Sequence, residues 1–323
     1  MSVIVFIHRL CEEDQQQWLE RLRVLLPNEE IVLNQQLSQS QIEQVEIAIV
    51  ADPDPKVLEQ YVSLIWVQSL WAGVEKLVDS FKLLNQQRAC DDKPGIQLVR
   101  LIDPQLATTM AEAVLAWTLY LHRHIPEYMQ QQREKLWRPL YCPTAGEVRV
   151  SILGSGELGM AAMRALVNQG YQLNGWSRSA KCVAGVQHFS GYCQLPDLLK
   201  ATDILICLLP LTAESRGLLN ADAFEHLPKG AKLINFARGG IINHLDLQKY
   251  LASGHLAHAV LDVFEQEPLA LDSPLWDDPK ISILPHVSAA TNIDSASLIA
   301  ANNILGYLAQ GAIPQAVDLD RGY

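Results

Sequence analysis

The run Gly154-Ser155-Gly156-Glu157-Leu158-Gly159 follows the apolar stretch Val148–Leu153 and leads into an apolar helical pattern. A G-x-G-x-x-G at the junction of a buried strand and a helix suits a dinucleotide pyrophosphate. Gly154 allows the tight turn, Gly156 lets backbone approach the phosphates, and Gly159 permits close helix–strand packing. Ser155, Glu157 and Leu158 complete the loop, and the helix N-terminus directs free N–H groups at the anion.

The end of the next strand selects the nucleotide. NAD-preferring sites place Asp or Glu there for the ribose 2′-hydroxyl. This chain has Asn174-Gly175-Trp176-Ser177-Arg178-Ser179-Ala180-Lys181, with no carboxylate. Ser177, Arg178 and Lys181 are therefore expected to hold a 2′-phosphate, Arg178 through paired hydrogen bonds. NADP(H) is the expected cofactor, with NAD(H) the alternative.

Other chemistry-bearing groups point elsewhere. His255 and His258, and His122 and His124, lie close in sequence but have no carboxylate or thiolate at metal-ligand spacing. They read as structural or surface histidines, and no metal is expected. Asn220-Ala221-Asp222-Ala223 reads as an N-cap and first helical turn. The six cysteines show no C-x-x-C spacing, which suggests free thiols in a reducing cytoplasm.

The 323 residues are enough for two domains, and 49% hydrophobic with 19% charged residues describes a globular chain. A net charge of −11 argues against nucleic acid as a partner but leaves room for a small anion held by local cations. The opening run MSVIVFIHRL is too short for a signal-peptide core and reads as a strand. No stretch reaches the roughly 18 apolar residues of a membrane span.

Val3–Ile7, Ile31–Leu33, Ile47–Val50 and Leu64–Val67 are expected strands, with a helix over Asp14–Leu26 and a short one from Pro55. A long helical pattern covers Thr109–Arg133, with a break near Pro126. A second series follows: Val148–Leu153, Gln172–Trp176, Asp203–Leu208, Lys232–Asn235, Ala257–Val263 and Ile281–Leu284, closed by a helix over Thr291–Ala309. Strands alternating with helices imply parallel sheets with crossover helices. The expected fold is α/β: two doubly wound domains, Rossmann-like and flavodoxin-like, with a cleft between them. Residues 1–100 and 292–323 would form the substrate domain and 101–291 the NAD(P)-binding domain.

From about Leu64 onward the chain resembles the D-isomer-specific 2-hydroxyacid dehydrogenase family. The resemblance lies in the glycine loop, Leu233-Ile234-Asn235-Phe236-Ala237-Arg238-Gly239-Gly240, Leu261-Asp262-Val263-Phe264-Glu265-Gln266-Glu267-Pro268, Pro285-His286-Val287-Ser288-Ala289-Ala290-Thr291, and the turn Ala72-Gly73-Val74-Glu75. Trp176-Ser177-Arg178, Gly185-Val186-Gln187 and Arg321-Gly322-Tyr323 look most like the glyoxylate/hydroxypyruvate reductase A group.

The resemblance implies a catalytic trio of Arg238, Glu267 and His286. His286 would donate a proton to the oxygen of a 2-keto acid, since an imidazole exchanges protons near neutrality. Glu267 would orient and stabilise the imidazolium, and Arg238 would bind the carboxylate and polarise the carbonyl. Leu209, Pro210, Ala237 and Asp262 would line the nicotinamide. Backbone N–H groups at Ala72 and Gly73 would meet the substrate carboxylate, and Ala289 would border the substrate.

Trp71 stands where relatives usually have a small residue, and Glu75 replaces Asp. Trp71 either narrows the pocket or packs in the core. Trp137 either enters a partner subunit's pocket or anchors a subunit interface. A homodimer built on the helix Thr109–His124 is implied. The expected reaction is NADPH-dependent reduction of glyoxylate or hydroxypyruvate; the alternatives are another 2-keto acid or a nicotinamide-sensing, protein-binding dimer.

Overall fold

The computed structural model describes residues 2–322; Met1 and Tyr323, the end of the Arg321-Gly322-Tyr323 run, lie outside the described residues. The chain divides into two units, Met1–Gln105 with Thr291–Tyr323, and Leu106–Ala290.

In the first unit the strands are β1 (Val3–His8), β2 (Glu30–Leu33), β3 (Ile47–Ala51), β4 (Trp66–Ser69) and β5 (Gln97–Val99). They form a parallel sheet in the order β2-β1-β3-β4-β5. The helices between them are α1 (Glu12–Leu25), the single turn α2 (Gln39–Ile42) and α3 (Glu75–Cys90). Successive side chains of a strand face opposite sides of a sheet, so an uninterrupted apolar strand needs cover on both. β1 shows this: Ile4 and Phe6 join Trp18, Leu22 and Ile304 in one cluster, while Val5 and Ile7 join Val78 and Phe81 in another.

In the second unit α4 (Pro104–His122), which begins at the boundary, and α5 (Ile125–Arg133) precede β6 (Arg149–Leu153), α6 (Glu157–Asn168), β7 (Gln172–Ser177) and β8 (Val186–Ser190). Then come α7 (Leu195–Lys200), β9 (Ile204–Cys207), α8 (Ala221–His226), β10 (Ala231–Asn235), α9 (His244–Ala252), β11 (Leu256–Leu261) and β12 (Ile281–Ile283). All strands are parallel in the order β12-β11-β10-β9-β6-β7-β8. Leu153, Leu205, Leu233 and Leu261 pack on one face with α7, α8 and α9; Ile152, Ile206, Ile234 and Val260 pack on the other with α4 and α6. Burying each such side chain contributes about 1.5–3 kcal/mol. The last helix, α10 (Ile293–Gln310), belongs to the first unit and packs against α1.

The chain runs outward from β6 through β7 to β8, then returns to β9 on the other side of β6. That reversal is the topological switch point at which doubly wound sheets bind ligands, beyond the carboxyl ends of the strands.

Several elements differ from expectation. The long helical pattern begins at Pro104, not Thr109, and breaks at His124, whose φ is +57°; Pro126 lies in the first turn of α5 rather than at the break. Proline is well placed in a first helical turn, so it starts α5 instead of interrupting a helix. β4 begins at Trp66, two residues after Leu64. The expected strands do not include β5 or the edge strand β8, and the expected helices do not include α3. Three residues are too few to show a period, and β8 is only half-buried. No helix among the described residues is long and apolar enough to cross a membrane.

Candidate active site

At the switch point, the three glycines of the loop after β6 meet different constraints. Gly154 has φ +108°, and a Cβ there would lie 2.6 Å from the Leu208 carbonyl oxygen. On Gly159 a Cβ would fall 1.8 Å from the Gly154 carbonyl oxygen, so the helix can approach its own loop only with glycine there. At Gly156, by contrast, a Cβ would meet no atom within 4 Å. Gly156 is also the N-cap of α6 and offers no side chain to its first N–H groups. A dinucleotide pyrophosphate fits this cradle: there is open space above Gly156, with uncapped donors directed at it. Leu209 and Pro210 follow β9 just beyond Leu208, and the Pro210 carbonyl is held by the Ser215 hydroxyl at 2.7 Å.

Ser177, Arg178 and Lys181 lie at and beyond the end of β7. The Ser177 hydroxyl donates to the Ser179 carbonyl at 2.7 Å, and Arg178 Nη1 pairs with Glu214 Oε2 at 2.7 Å. Lys181 is exposed. Behind them stands His188 of β8, whose Nε2 lies 3.0 Å from Ser155 Oγ and 3.1 Å from Ser177 Oγ. Burial and then the charge of Lys181 hold His188 below the ordinary imidazole range. Glu214 and His188 were not among the residues expected at this end of the site.

The other chemical groups sit on the turns that leave β10, β11 and β12, three adjacent strands. After β10, the buried Asn235 clamps the turn: its Oδ1 accepts Ala237 N–H and its Nδ2 donates to Arg238 O, each at 3.1 Å. That fixes the half-buried Arg238, whose Nη1 donates to Ala237 O at 2.6 Å. The next residue, Gly239, lies against the loop after β11, where a Cβ would come within 2.0 Å of the Phe264 carbonyl carbon. The Arg238 turn and the Glu267 loop are thus in backbone contact.

Glu267 Oε1 accepts Phe264 N–H at 2.9 Å, and its Oε2 lies 2.8 Å from His286 Nδ1. His286 follows β12 in a left-handed conformation, φ +56°, with its N–H donating to Asp262 O at 2.9 Å. The Asp262 carboxylate is buried and accepts Val287 N–H at 2.7 Å and Ser288 N–H at 3.0 Å. Asp262 was expected beside the nicotinamide; the contacts it makes here hold the His286 loop in place. With Nδ1–H donated to Glu267, the other imidazole nitrogen is the one available for proton exchange.

The remaining expected residues, Ala289 excepted, lie apart from this cluster in sequence. Trp71, Ala72 and Gly73 follow β4 in the first unit; Trp71 packs edge-on against Trp18, ring centroids 5.8 Å apart, and against the core there. Glu75 is the first residue of α3. Ala289 packs beside the cluster that contains Ile234 and Val260. Trp137 is fully exposed. The discounted histidines have structural partners: His122 bonds Tyr171 and Pro143, His124 bonds Glu127 and Tyr141, His255 bonds Phe224 and Leu227, and His258 bonds Ser282. Asn220 caps α8 by accepting from Ala223 N–H. Among the described residues the six cysteines are free, and no group of three His, Cys, Asp or Glu could hold a metal ion.

Residues 115–288 match the NAD binding domain of the D-isomer specific 2-hydroxyacid dehydrogenases. The chain belongs to that family. A glyoxylate/hydroxypyruvate reductase A of Yersinia enterocolitica is 35% identical over 321 residues, covering 99% of both chains. Among solved structures, a family member from Xanthobacter autotrophicus in complex with NADPH is 36% identical, covers 100% of this chain and 99% of its own, and has a TM-score of 0.89. An NADPH-dependent glyoxylate/hydroxypyruvate reductase from Sinorhizobium meliloti, in complex with NADP and sulfate, is 30% identical with full coverage of both chains and a TM-score of 0.88. Within this dehydrogenase family the second unit, with its glycine cradle, is the dinucleotide-binding part.

Proposed function

We propose that this dehydrogenase reduces glyoxylate or hydroxypyruvate to glycolate or D-glycerate with NADPH. The observation that carries the reading is the His286–Glu267 pair at 2.8 Å, with Glu267 on the loop that touches the Arg238 turn. The names of the Yersinia and Sinorhizobium relatives support the substrate, and the absence of a carboxylate after β7 supports the phosphorylated cofactor.

When bound, the reduced nicotinamide supplies a hydride to the carbonyl carbon. The cradle at Gly154, Gly156 and Gly159 would hold the pyrophosphate; Ser177, Arg178 and Lys181 would hold the 2′-phosphate; and Leu209, Pro210, Ala237 and Asp262 would border the nicotinamide. Arg238 binds the substrate carboxylate and polarises the carbonyl, a task suited to a planar, permanently charged fork. His286 delivers the proton to the carbonyl oxygen from its Nε2, and Glu267 stabilises the imidazolium until that proton leaves. Ala72 and Gly73 are proposed to bind the acid's carboxylate through backbone N–H groups, with Trp71 and Ala289 bordering the substrate.

The exposed run Leu136, Trp137 and Tyr141 supports a homodimer built on this segment and α4. A cytoplasmic location accords with the free cysteines. A panel of 2-keto acids assayed with NADPH and NADH tests the function. The highest kcat/KM is expected for glyoxylate or hydroxypyruvate with NADPH. A bulkier 2-keto acid turned over faster than both would overturn the substrate assignment, and equal rates with NADH would overturn the cofactor assignment.

A further inference from the structure

His188 occupies a position that neither the glycine cradle nor the proton-transfer groups explain. It pairs in register with Gly175 of β7, and the missing side chain there makes room for the ring. A Cβ on Gly175 would lie 3.3 Å from His188 Cδ2 and 2.8 Å from Met163 Cε of α6. The imidazole is thus wedged between the helix that opens at the phosphate loop and the strand that ends at Ser177. Its Nε2 bridges the phosphate loop and β7, at 3.0 Å from Ser155 Oγ and 3.1 Å from Ser177 Oγ.

The hydrogen-bond pattern is the basis for assigning the tautomer. Ser177 Oγ donates its one proton to the Ser179 carbonyl at 2.7 Å, so it can only accept from His188. Ser155 Oγ has the Trp176 carbonyl 3.4 Å away as its own acceptor, and so can accept as well. The hydrogen is accordingly assigned to Nε2, which leaves Nδ1 as the nitrogen to take up a proton.

We propose, on the reading of Ser177, Arg178 and Lys181 given above, that His188 is a specificity residue for the cofactor's 2′-phosphate. It holds Ser155 and Ser177 in register. By taking up a proton when the phosphate docks, it strengthens the preference for the phosphorylated dinucleotide as pH falls.

The elements around the ring leave few charges to compete. β7 faces it with Gly175 and Ser177, α6 with Met163, and the phosphate loop with Ser155. The segment after β7 carries Lys181, whose charge acts on the ring, and Arg178, which is paired with Glu214. Burial and then the charge of Lys181 bias His188 toward its neutral form in the free protein. A phosphate brought to Ser177 adds negative charge beside the ring and reverses that bias. A group whose pKa rises on binding takes up a proton, so affinity grows as pH falls. NAD+ has no such phosphate and no such linkage. The phosphate's own titration near pH 6 acts in the opposite sense, and a variant lacking the imidazole isolates it.

The test is the affinity of the full-length protein for NADP+ and NAD+ from about pH 6 to pH 8, in the wild type, His188→Gln and Arg178→Ala. The Gln amide keeps a donor but cannot be charged. We expect His188→Gln to lower the NADP+/NAD+ affinity ratio about tenfold at the acid end and little at the alkaline end, with NAD+ affinity and Tm unchanged. Calorimetry in buffers of different ionisation enthalpy should show more protons taken up with NADP+ by the wild type than by His188→Gln, and no such difference with NAD+. A wild-type ratio retained by His188→Gln at every pH, equal loss for both nucleotides, or the same proton uptake with NADP+ in the wild type and His188→Gln would each overturn the role of His188. If Arg178→Ala lost its selectivity while His188→Gln did not, the 2′-phosphate site would stand without His188. A wild type that does not prefer NADP+ would remove both.

Discussion

Glu267 and His286 share a contact that fixes more than a ring. One oxygen of the carboxylate lies 2.8 Å from His286 Nδ1, and the other accepts the Phe264 N–H from its own loop at 2.9 Å. The anion is therefore pinned where the imidazolium forms. Glu267→Gln keeps the shape but removes the charge. We expect kcat for reduction to fall about 10- to 100-fold. Steady-state kinetics of the two proteins check this; near-wild-type kcat would contradict it.

Gly239 provides a second test, of the contact between turns. Its Cβ position lies 2.0 Å from the Phe264 carbonyl carbon, so Gly239→Ala must push the Arg238 turn away from the Glu267 loop. Overpacking of this kind costs about 1–3 kcal/mol of stability. A displacement near 1 Å at a reacting group can cost about 100-fold in rate. We expect that loss in kcat/KM while NADP+ binding, measured by fluorescence titration, stays close to wild type. Unchanged kcat/KM would mean that the two turns need not touch.

Glu214 holds Arg178 at 2.7 Å and so competes with any phosphate for the guanidinium. The pair is largely exposed, and such pairs are worth at most about 1 kcal/mol. Glu214→Gln should therefore tighten NADP+ by about threefold and leave NAD+ unchanged. Weaker NADP+ binding would show instead that the pair pre-positions Arg178.

Away from the site, His258 links stability to pH. It is buried, and that burial pushes its pKa from 6.5 down to about 4. The unfolded chain takes up a proton there as pH falls below 6.5 while the folded one does not, so stability is lost between pH 6.5 and about 4. The loss should be of order 3 kcal/mol across that window. Urea unfolding at several pH values, compared with His258→Asn, measures it; identical pH dependence in the two proteins would exclude His258 as the source.

Much of this architecture is legible in the sequence because the signals are local. β6 shows as an apolar run ending in glycine, and α6 as an apolar period beginning at one. The motifs around Arg238, Glu267 and His286 are short and intact. Contacts between distant segments are less legible. Asp262 turns its carboxylate onto Val287 and Ser288, and nothing in the sequence shows that backbone N–H groups so far along the chain will meet it. Glu214 meets Arg178 through a loop whose path depends on the whole sheet. β8 is a half-buried edge strand whose alternation is weak, so His188 has no visible context. α3 could have been found, since Leu77, Val78, Phe81 and Leu84 follow a helical period.

The strand order β12-β11-β10-β9-β6-β7-β8 sets Ser177 and His188 at one margin of the sheet and His286 at the other. With strands spaced about 4.8 Å apart, β8 and β10 are roughly 19 Å from one another. Substitutions at such a distance, with no shared neighbours, generally combine additively. Coenzyme choice and proton delivery are accordingly separable traits in this dehydrogenase. An engineer could retune which dinucleotide it uses at one margin without disturbing the chemistry at the other.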